Sequence, residues 1–219
     1  MKLMKPALAV LAIASSFAFA VTSNAEPIRA SCRGGKGGET WPIVPQNYVT
    51  QNCAYCHGPS VQGFAVTPRL AGQHRDYILL QFDRLRNQSR NNPFSLKYMS
   101  HAAVGVQPEN ECEVAAYLAS LPPDPARDGN EALTAQGEAI FQHGIPEANI
   151  PACAFCHGQA AQGRGQFPRL GGQSYFYLQR RLEQWGEGYN TVAEHMPGIA
   201  ARLSAEQIDA LASYLSFVQ

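Results

Sequence analysis

Residues 53–58 read Cys53-Ala54-Tyr55-Cys56-His57-Gly58, and residues 153–158 read Cys153-Ala154-Phe155-Cys156-His157-Gly158. The identity continues beyond the motif at the same offset of 100. Gln62-Gly63 answers Gln162-Gly163, Pro68-Arg69-Leu70-Ala71-Gly72-Gln73 answers Pro168-Arg169-Leu170-Gly171-Gly172-Gln173, and Tyr77 answers Tyr177. A three-residue deletion then moves the register, so that Tyr117-Leu118-Ala119-Ser120 pairs with Tyr214-Leu215-Ser216-Phe217. Two long copies, each with its own apolar set, predict duplicated domains and not a solenoid, which stacks three or more shorter units.

The periodicity within each copy is helical. Ile208, Leu211, Ala212 and Leu215 recur at i, i+3, i+4 and i+7 behind Ser204-Ala205-Glu206-Gln207, which has the form of a capping box. Val114, Tyr117, Leu118 and Leu121 repeat that stripe behind Pro108, so a helix closes each copy. A second helix carries Ile78, Phe82 and Leu85 in one copy and Leu178, Leu182 and Trp185 in the other. The second copy also opens with a helix near 131–142. No alternating stretch is long enough to predict a strand, and the fold class expected is all-α.

Residues 1–25 have the make-up of a secretory signal: Lys2 and Lys5, an apolar run from Ala7 to Val21, and the small-residue site Ser23-Asn24-Ala25. A retained membrane anchor is the rival reading, but Ser15 and Ser16 interrupt a run that needs about 18 apolar residues to span a bilayer. Leu121-Pro122-Pro123-Asp124-Pro125 cannot continue a helix and reads as a stiff linker. The expected divisions are therefore a signal over 1–25, one domain over 26–121, a linker over 122–129 and a second domain over 130–219. The mature chain holds 15 bases and 17 acids, a net of 15 − 17 = −2, and nothing in it suggests nucleic-acid binding. Split after Arg127, the first part has 10 − 8 = +2 and the second 5 − 9 = −4, so the halves are expected to offer different faces to charged partners.

Two thiols three positions apart can add to the two vinyl groups of one haem, and the adjacent histidine can then bind its iron. Each motif therefore predicts one covalent haem c: Cys53, Cys56 and His57 for the first, Cys153, Cys156 and His157 for the second. A redox dithiol or half a zinc site would lack the histidine, the export signal and the duplication. The chain has four methionines, and beyond Met1 and Met4 only Met99 and Met196 remain, one per copy, each just ahead of the closing helix. They are the expected sixth ligands of the two irons, giving His/Met sites of raised potential with no open position for a substrate. His101 and His195 are rivals at unmatched offsets from the methionines, while His74 and His143 have no counterpart in the other copy.

Cys32 and Cys112 have no partner in the second copy. In an oxidising compartment a Cys32–Cys112 disulfide is the default expectation, pinning the arm Cys32-Arg33-Gly34-Gly35-Lys36-Gly37-Gly38 onto the closing helix. The alternative is a cysteine thiolate as iron ligand.

Paired CxxCH domains, each with PRLxGQ some residues later and a methionine before a C-terminal helix, resemble the diheme cytochrome c4 family over essentially the whole mature chain. The resemblance implies two class I cytochrome c domains whose haems meet near the domain interface. It also implies that the carbonyls of Pro68 and Pro168 receive the ring N–H of each axial histidine, a bond that fixes the tautomer and raises donor strength. Leu70 and Leu170 would then line the haem faces, Arg69 and Arg169 would face propionates, and Tyr77, Tyr177 and Trp185 would wall the haem edge. Against the family's usual small-residue opening helix, the glycine-rich stretch before Trp41-Pro42 reads as an irregular arm.

The function expected is a periplasmic electron carrier between a donor dehydrogenase or quinol-oxidising complex and a terminal oxidase or reductase. It would have redox proteins as partners, no small-molecule substrate, and peripheral membrane association as one further reading. The alternatives are a haem subunit of a flavocytochrome or alcohol dehydrogenase type of complex, and a diheme thiosulfate dehydrogenase or peroxidase, which would need an iron with a different or absent sixth ligand.

Overall fold

A computed structural model describes Cys32 and residues 44–219; the signal and most of the glycine-rich arm lie outside the described residues. Ten α-helices follow in order: α1 (Pro45–Asn52), α2 (Ala54–His57), α3 (Arg75–Arg86), α4 (Ser100–Gly105), α5 (Pro108–Ser120), α6 (Thr134–His143), α7 (Ala154–His157), α8 (Tyr175–Gly186), α9 (Met196–Ala200) and α10 (Ala205–Phe217). A π-helical turn, Ser95–Met99, leads into α4. No strand forms among the described residues, only three isolated bridges that close tight loops. The all-α expectation holds, and no described helix is long and apolar enough to cross a membrane.

The apolar side chains gather into two clusters. In the second copy Ile140 and Phe141 of α6, Leu178 and Leu182 of α8, and Ile208, Leu211 and Leu215 of α10 pack together. At about 1.5–3 kcal/mol for each fully buried large side chain, that set is the main source of cohesion there. In the first copy Val49 of α1, Ile78 and Leu79 of α3, and Val114, Ala115 and Leu118 of α5 do the same. The predicted stripes are thus the buried faces.

The ends of the helices follow from their residues. Ser204 Oγ accepts the backbone N–H of Gln207 at 3.3 Å, and Gln207 Oε1 accepts that of Ser204 at 2.9 Å, closing the capping box at the start of α10. Pro108 sits in the first turn of α5, where its missing N–H costs nothing. Among the described residues of the first copy a helix does precede the motif: α1, only eight residues long, has Pro45 in its first turn, so Cys53 follows a regular element.

The extended linker is tied down along its length. Ala126 N–H donates to Gly172 O at 3.0 Å and Arg127 N–H to Ser216 O at 2.9 Å, and Asp128 Oδ1 accepts the N–H of Tyr175 at 2.8 Å at the start of α8. The linker is therefore fastened to the second copy at the start of α8 and the end of α10 and is not a free tether.

Candidate functional site

Both histidines of the repeated motif are buried, at 4 % exposure for His57 and 7 % for His157. Each ends a four-residue helix started by the first cysteine of its motif. The loop that follows turns back on itself: Gly63 N–H donates to His57 O at 2.8 Å, and Leu70 N–H to Val61 O at 2.9 Å. That turn needs Gly63 at φ +69°, where a Cβ would lie 2.5 Å from Thr67 O. It returns the chain so that His57 Nδ1 donates to Pro68 O at 2.8 Å, and the second copy repeats the bond from His157 Nδ1 to Pro168 O at 3.0 Å. A carbonyl can only accept, so Nδ1 carries the proton and Nε2 keeps its lone pair.

His57 Nε2 is buried without a partner. Burial holds both imidazoles below their ordinary pKa, outweighing the proline carbonyls, and so keeps them neutral, as an iron ligand must be. Cys53, Cys56, Cys153 and Cys156 are all unpaired thiols. Burial pushes Cys53 and Cys153 up to about 11, far from the lowered value of a redox dithiol. Among the described residues no three His, Cys, Asp or Glu side chains converge as a metal cluster would require. Two unpaired thiols, a buried imidazole with a free lone pair and a fixed tautomer make a donor set that fits one covalent haem in each half.

Met99 ends the π-helical turn and Met196 begins α9, where it packs against the second apolar cluster. Both are partly buried. Leu70 and Leu170 lie at the edges of the two clusters.

Where the copies meet, polar side chains from α3, the turn after it and α8 come together. Arg90 donates through Nη1 to Gln81 Oε1 at 2.9 Å and through Nη2 to Tyr177 Oη at 3.2 Å, while its Nε is buried and unpaired. Arg181, 8 % exposed, lies over the Trp185 ring at 4.6 Å, and the indole Nε1 is buried and unpaired too. Burial and the like charge of Arg90 push Arg181 down to about 10. Burial lifts Tyr77, whereas at Tyr177 the two guanidinium groups more than offset burial and lower the phenol. Buried cations without a carboxylate are costly. The propionates of a haem would neutralise them, and the orphaned N–H groups of Arg90 and Trp185 are suited to bind such carboxylates.

Arg69, expected to face a propionate, donates to Gln62 Oε1 at 2.8 Å, and the charges of Asp128 and Asp124 in the linker act on it. Together with Arg169, Gln73 and Gln173 it lines a small polar cavity between the halves. Sequence reasoning passed over Arg90 and Arg181, because neither has an arginine at the matching position of the other copy. Their one signal is that α3 and α8 place them beside the repeated tyrosines. Cys32 and Cys112 are joined in a disulfide, which removes the thiolate-ligand alternative.

The family model for cytochrome c oxidase, cbb3-type, subunit III, matches residues 132–215. Cytochrome c4 of Thiocapsa roseopersicina is 34% identical over 169 residues, covering 74% of this chain and 85% of that one. A thiosulfate dehydrogenase electron acceptor of Stutzerimonas stutzeri (strain A1501) is 37% identical over 179 residues, covering 78% and 81%. The solved structure of Acidithiobacillus ferrooxidans cytochrome c4 superposes with a TM-score of 0.70 at 34% identity, over 76% of this chain and 98% of that one.

Proposed function

Because the chain belongs to the cytochrome c4 family of diheme electron-transfer proteins, we propose that it is a periplasmic two-ended relay between a donor dehydrogenase or quinol-oxidising complex and a terminal oxidase or reductase. It carries two covalent haem c groups, which supply one-electron chemistry at iron when bound. In this reading Cys53 and Cys56 anchor one haem and Cys153 and Cys156 the other, with His57 and Met99, and His157 and Met196, as the axial pairs. Residues 26–121 and 130–219 are the two haem-bearing units, joined by 122–129.

The observation that carries the reading is the duplicated histidine. A neutral imidazole whose Nδ1–H is fixed by Pro68 O or Pro168 O presents Nε2 inward, which orients the ligand and strengthens it as a donor. Matched methionines then give both irons closed, raised-potential ligation, which suits a carrier and leaves no site for a substrate. Tyr55 and Phe155, the middle residues of the motifs, stand 92% and 83% exposed, so each half offers an aromatic contact next to its haem attachment.

The similarity to a thiosulfate dehydrogenase electron acceptor supports a dehydrogenase as donor. The match of the second half to an oxidase subunit supports an oxidase as the receiving side. Export of the mature chain is supported by the disulfide, a bond of oxidising compartments.

The test is a pyridine haemochrome assay with an optical redox titration. Two haems per chain are expected, with the weak far-red sulfur-to-iron band in the oxidised protein. Met99→Ala and Met196→Ala should each remove about half of that band, one ligand in two. A high-spin component in the unmodified protein would favour the enzymatic alternative and sink the carrier reading.

A further inference from the structure

Asn92 and Asn190 are almost fully buried, at 2 % and 1 % exposure, and each stands shortly before one of the paired methionines. Asn92 heads the helical stretch that opens at Pro93 and runs through the π-turn to Met99. Its Oδ1 accepts the N–H of Ser95 at 3.0 Å and its carbonyl accepts that of Leu96 at 3.0 Å, as an N-cap does. Its Nδ2 has two protons, and both are used. One goes to Ser95 Oγ at 2.8 Å and the other to Asn190 Oδ1 at 3.0 Å, in the other half of the molecule.

Asn190 begins the loop to Met196. Its φ of +56° lies in the left-handed region that asparagine tolerates, and its carbonyl accepts Ala193 N–H at 3.1 Å to form the first turn. Its own N–H donates to Asn91 Oδ1 at 2.6 Å, and Arg84 Nη2 donates to Val192 O at 3.1 Å. The loop before Met196 is therefore held from the first half at three points. The cap of the helix bearing Met99 shares its donor with that same loop.

We infer that Asn92 and Asn190 are positioning residues that clasp the two methionine segments to each other, so that each iron's sixth ligand is held in part by the opposite half. This rests on Met99 and Met196 being the axial ligands proposed above. Deleting one amide strands the other as a buried unpaired group, the costly outcome for a polar side chain, and the strain reaches both segments. Loosened ligation then spreads between the halves through protein, whatever the haems do.

The experiment uses the full haem-loaded protein with Asn190→Gly, which keeps the left-handed backbone accessible, Asn190→Asp, which keeps the acceptor, and Asn92→Asp, which keeps the capping oxygen but loses the donor. Two quantities are read: the high-field methionine-methyl NMR resonances of the reduced protein, assigned with Met99→Ala and Met196→Ala, and the capture of each oxidised iron by imidazole. Asn190→Gly should shift both resonances and raise imidazole capture at the first iron roughly fivefold, the ratio for one lost hydrogen bond. Asn190→Asp should restore wild-type values, and Asn92→Asp should disturb the Met196 iron.

Changes confined to the iron of the mutated half, or no change in either, overturn the clasp. Should Asn190→Gly fail to fold, Asn92→Asp alone decides by the same criterion. An unmodified protein lacking either methionine resonance would overturn the ligand reading, and the inference with it, so the wild-type spectrum tells the two failures apart.

Discussion

Gln73 and Gln173 each grip the backbone of the other half at the residue before the repeated leucine, Leu170 or Leu70. Gln73 Oε1 accepts Arg169 N–H at 2.8 Å and its Nε2 donates to Arg169 O at 3.0 Å; Gln173 does the same to Arg69 at 2.7 and 3.1 Å. Each side chain oxygen also accepts the N–H of the next residue, His74 or Ser174. Both glutamines are buried. The pair thus forms a pseudo-symmetric clamp beside the two arginines, and it fixes how the Pro68 and Pro168 loops face one another.

Gln73→Ala or Gln173→Ala removes two cross-half bonds and should destabilise the protein by about 2 kcal/mol, at about 1 kcal/mol a bond. The double variant should show coupling, since both act on one seam. Denaturant unfolding of the two singles and the double checks this, and strict additivity would mean that the two grips are independent.

The disulfide between Cys32 and Cys112 closes a loop of 80 residues. It ties the chain ahead of α1 to the middle of α5, in the half whose opening helix is the shorter. Chain entropy gives about 4 kcal/mol for such a closure. The double variant Cys32→Ser/Cys112→Ser is expected to lower the stability of the first half by that order and to leave the second unaffected. Hydrogen exchange followed separately in α5 and α10 reads the difference, and equal loss of protection in both would contradict it.

Glu111 of α5 is fully buried, and Arg86 of α3 pairs with it while also donating to Ala103 O and Val106 O at 3.3 Å each. Removing the cation alone leaves a buried carboxylate without its main counter-charge. Arg86→Met should therefore cost roughly 3–5 kcal/mol, whereas Arg86→Met combined with Glu111→Leu should cost much less, because the buried charge goes with its partner. Thermal unfolding of the single and double variants is the measurement, and a double variant no better than the single would show that the pair contributes net stability.

Repetition made most of this molecule legible in its sequence. The helical stripes placed the packing faces of α3, α5, α8 and α10, because these depend on local spacing, while the Pro68 and Pro168 carbonyls as acceptors from His57 and His157 were implied by the family resemblance. The Cys32–Cys112 bond was legible by elimination and compartment. What lay hidden depends on how the copies meet: Arg90 with Tyr177 and Asn92 with Asn190 pair residues that are not equivalent in the repeat. The linker charges acting on Arg69 were hidden in the same way, since Asp128 and Asp124 reach it through the path of residues 122–128.

The unequal charges of the halves, +2 before residue 128 and −4 from it onward, predict that the relay is polar in its choice of partners. The side chains of Glu138, Glu147 and Glu187 are exposed on the second half and that of Lys97 on the first. Charges at a docking rim act mainly on association rate and its salt dependence. Changing Glu138, Glu147 and Glu187 to lysine should slow the reaction with one partner by roughly tenfold at low salt and leave the other within about twofold. Lys97→Glu should weaken the opposite reaction, by less, since it changes one charge. Stopped-flow reduction by a thiosulfate dehydrogenase and oxidation by a cbb3-type oxidase, each across a range of ionic strength, measure the two ends separately. Equal slowing of both by the same variant would mean that one surface serves donor and acceptor in turn, and the two-ended arrangement would be refuted.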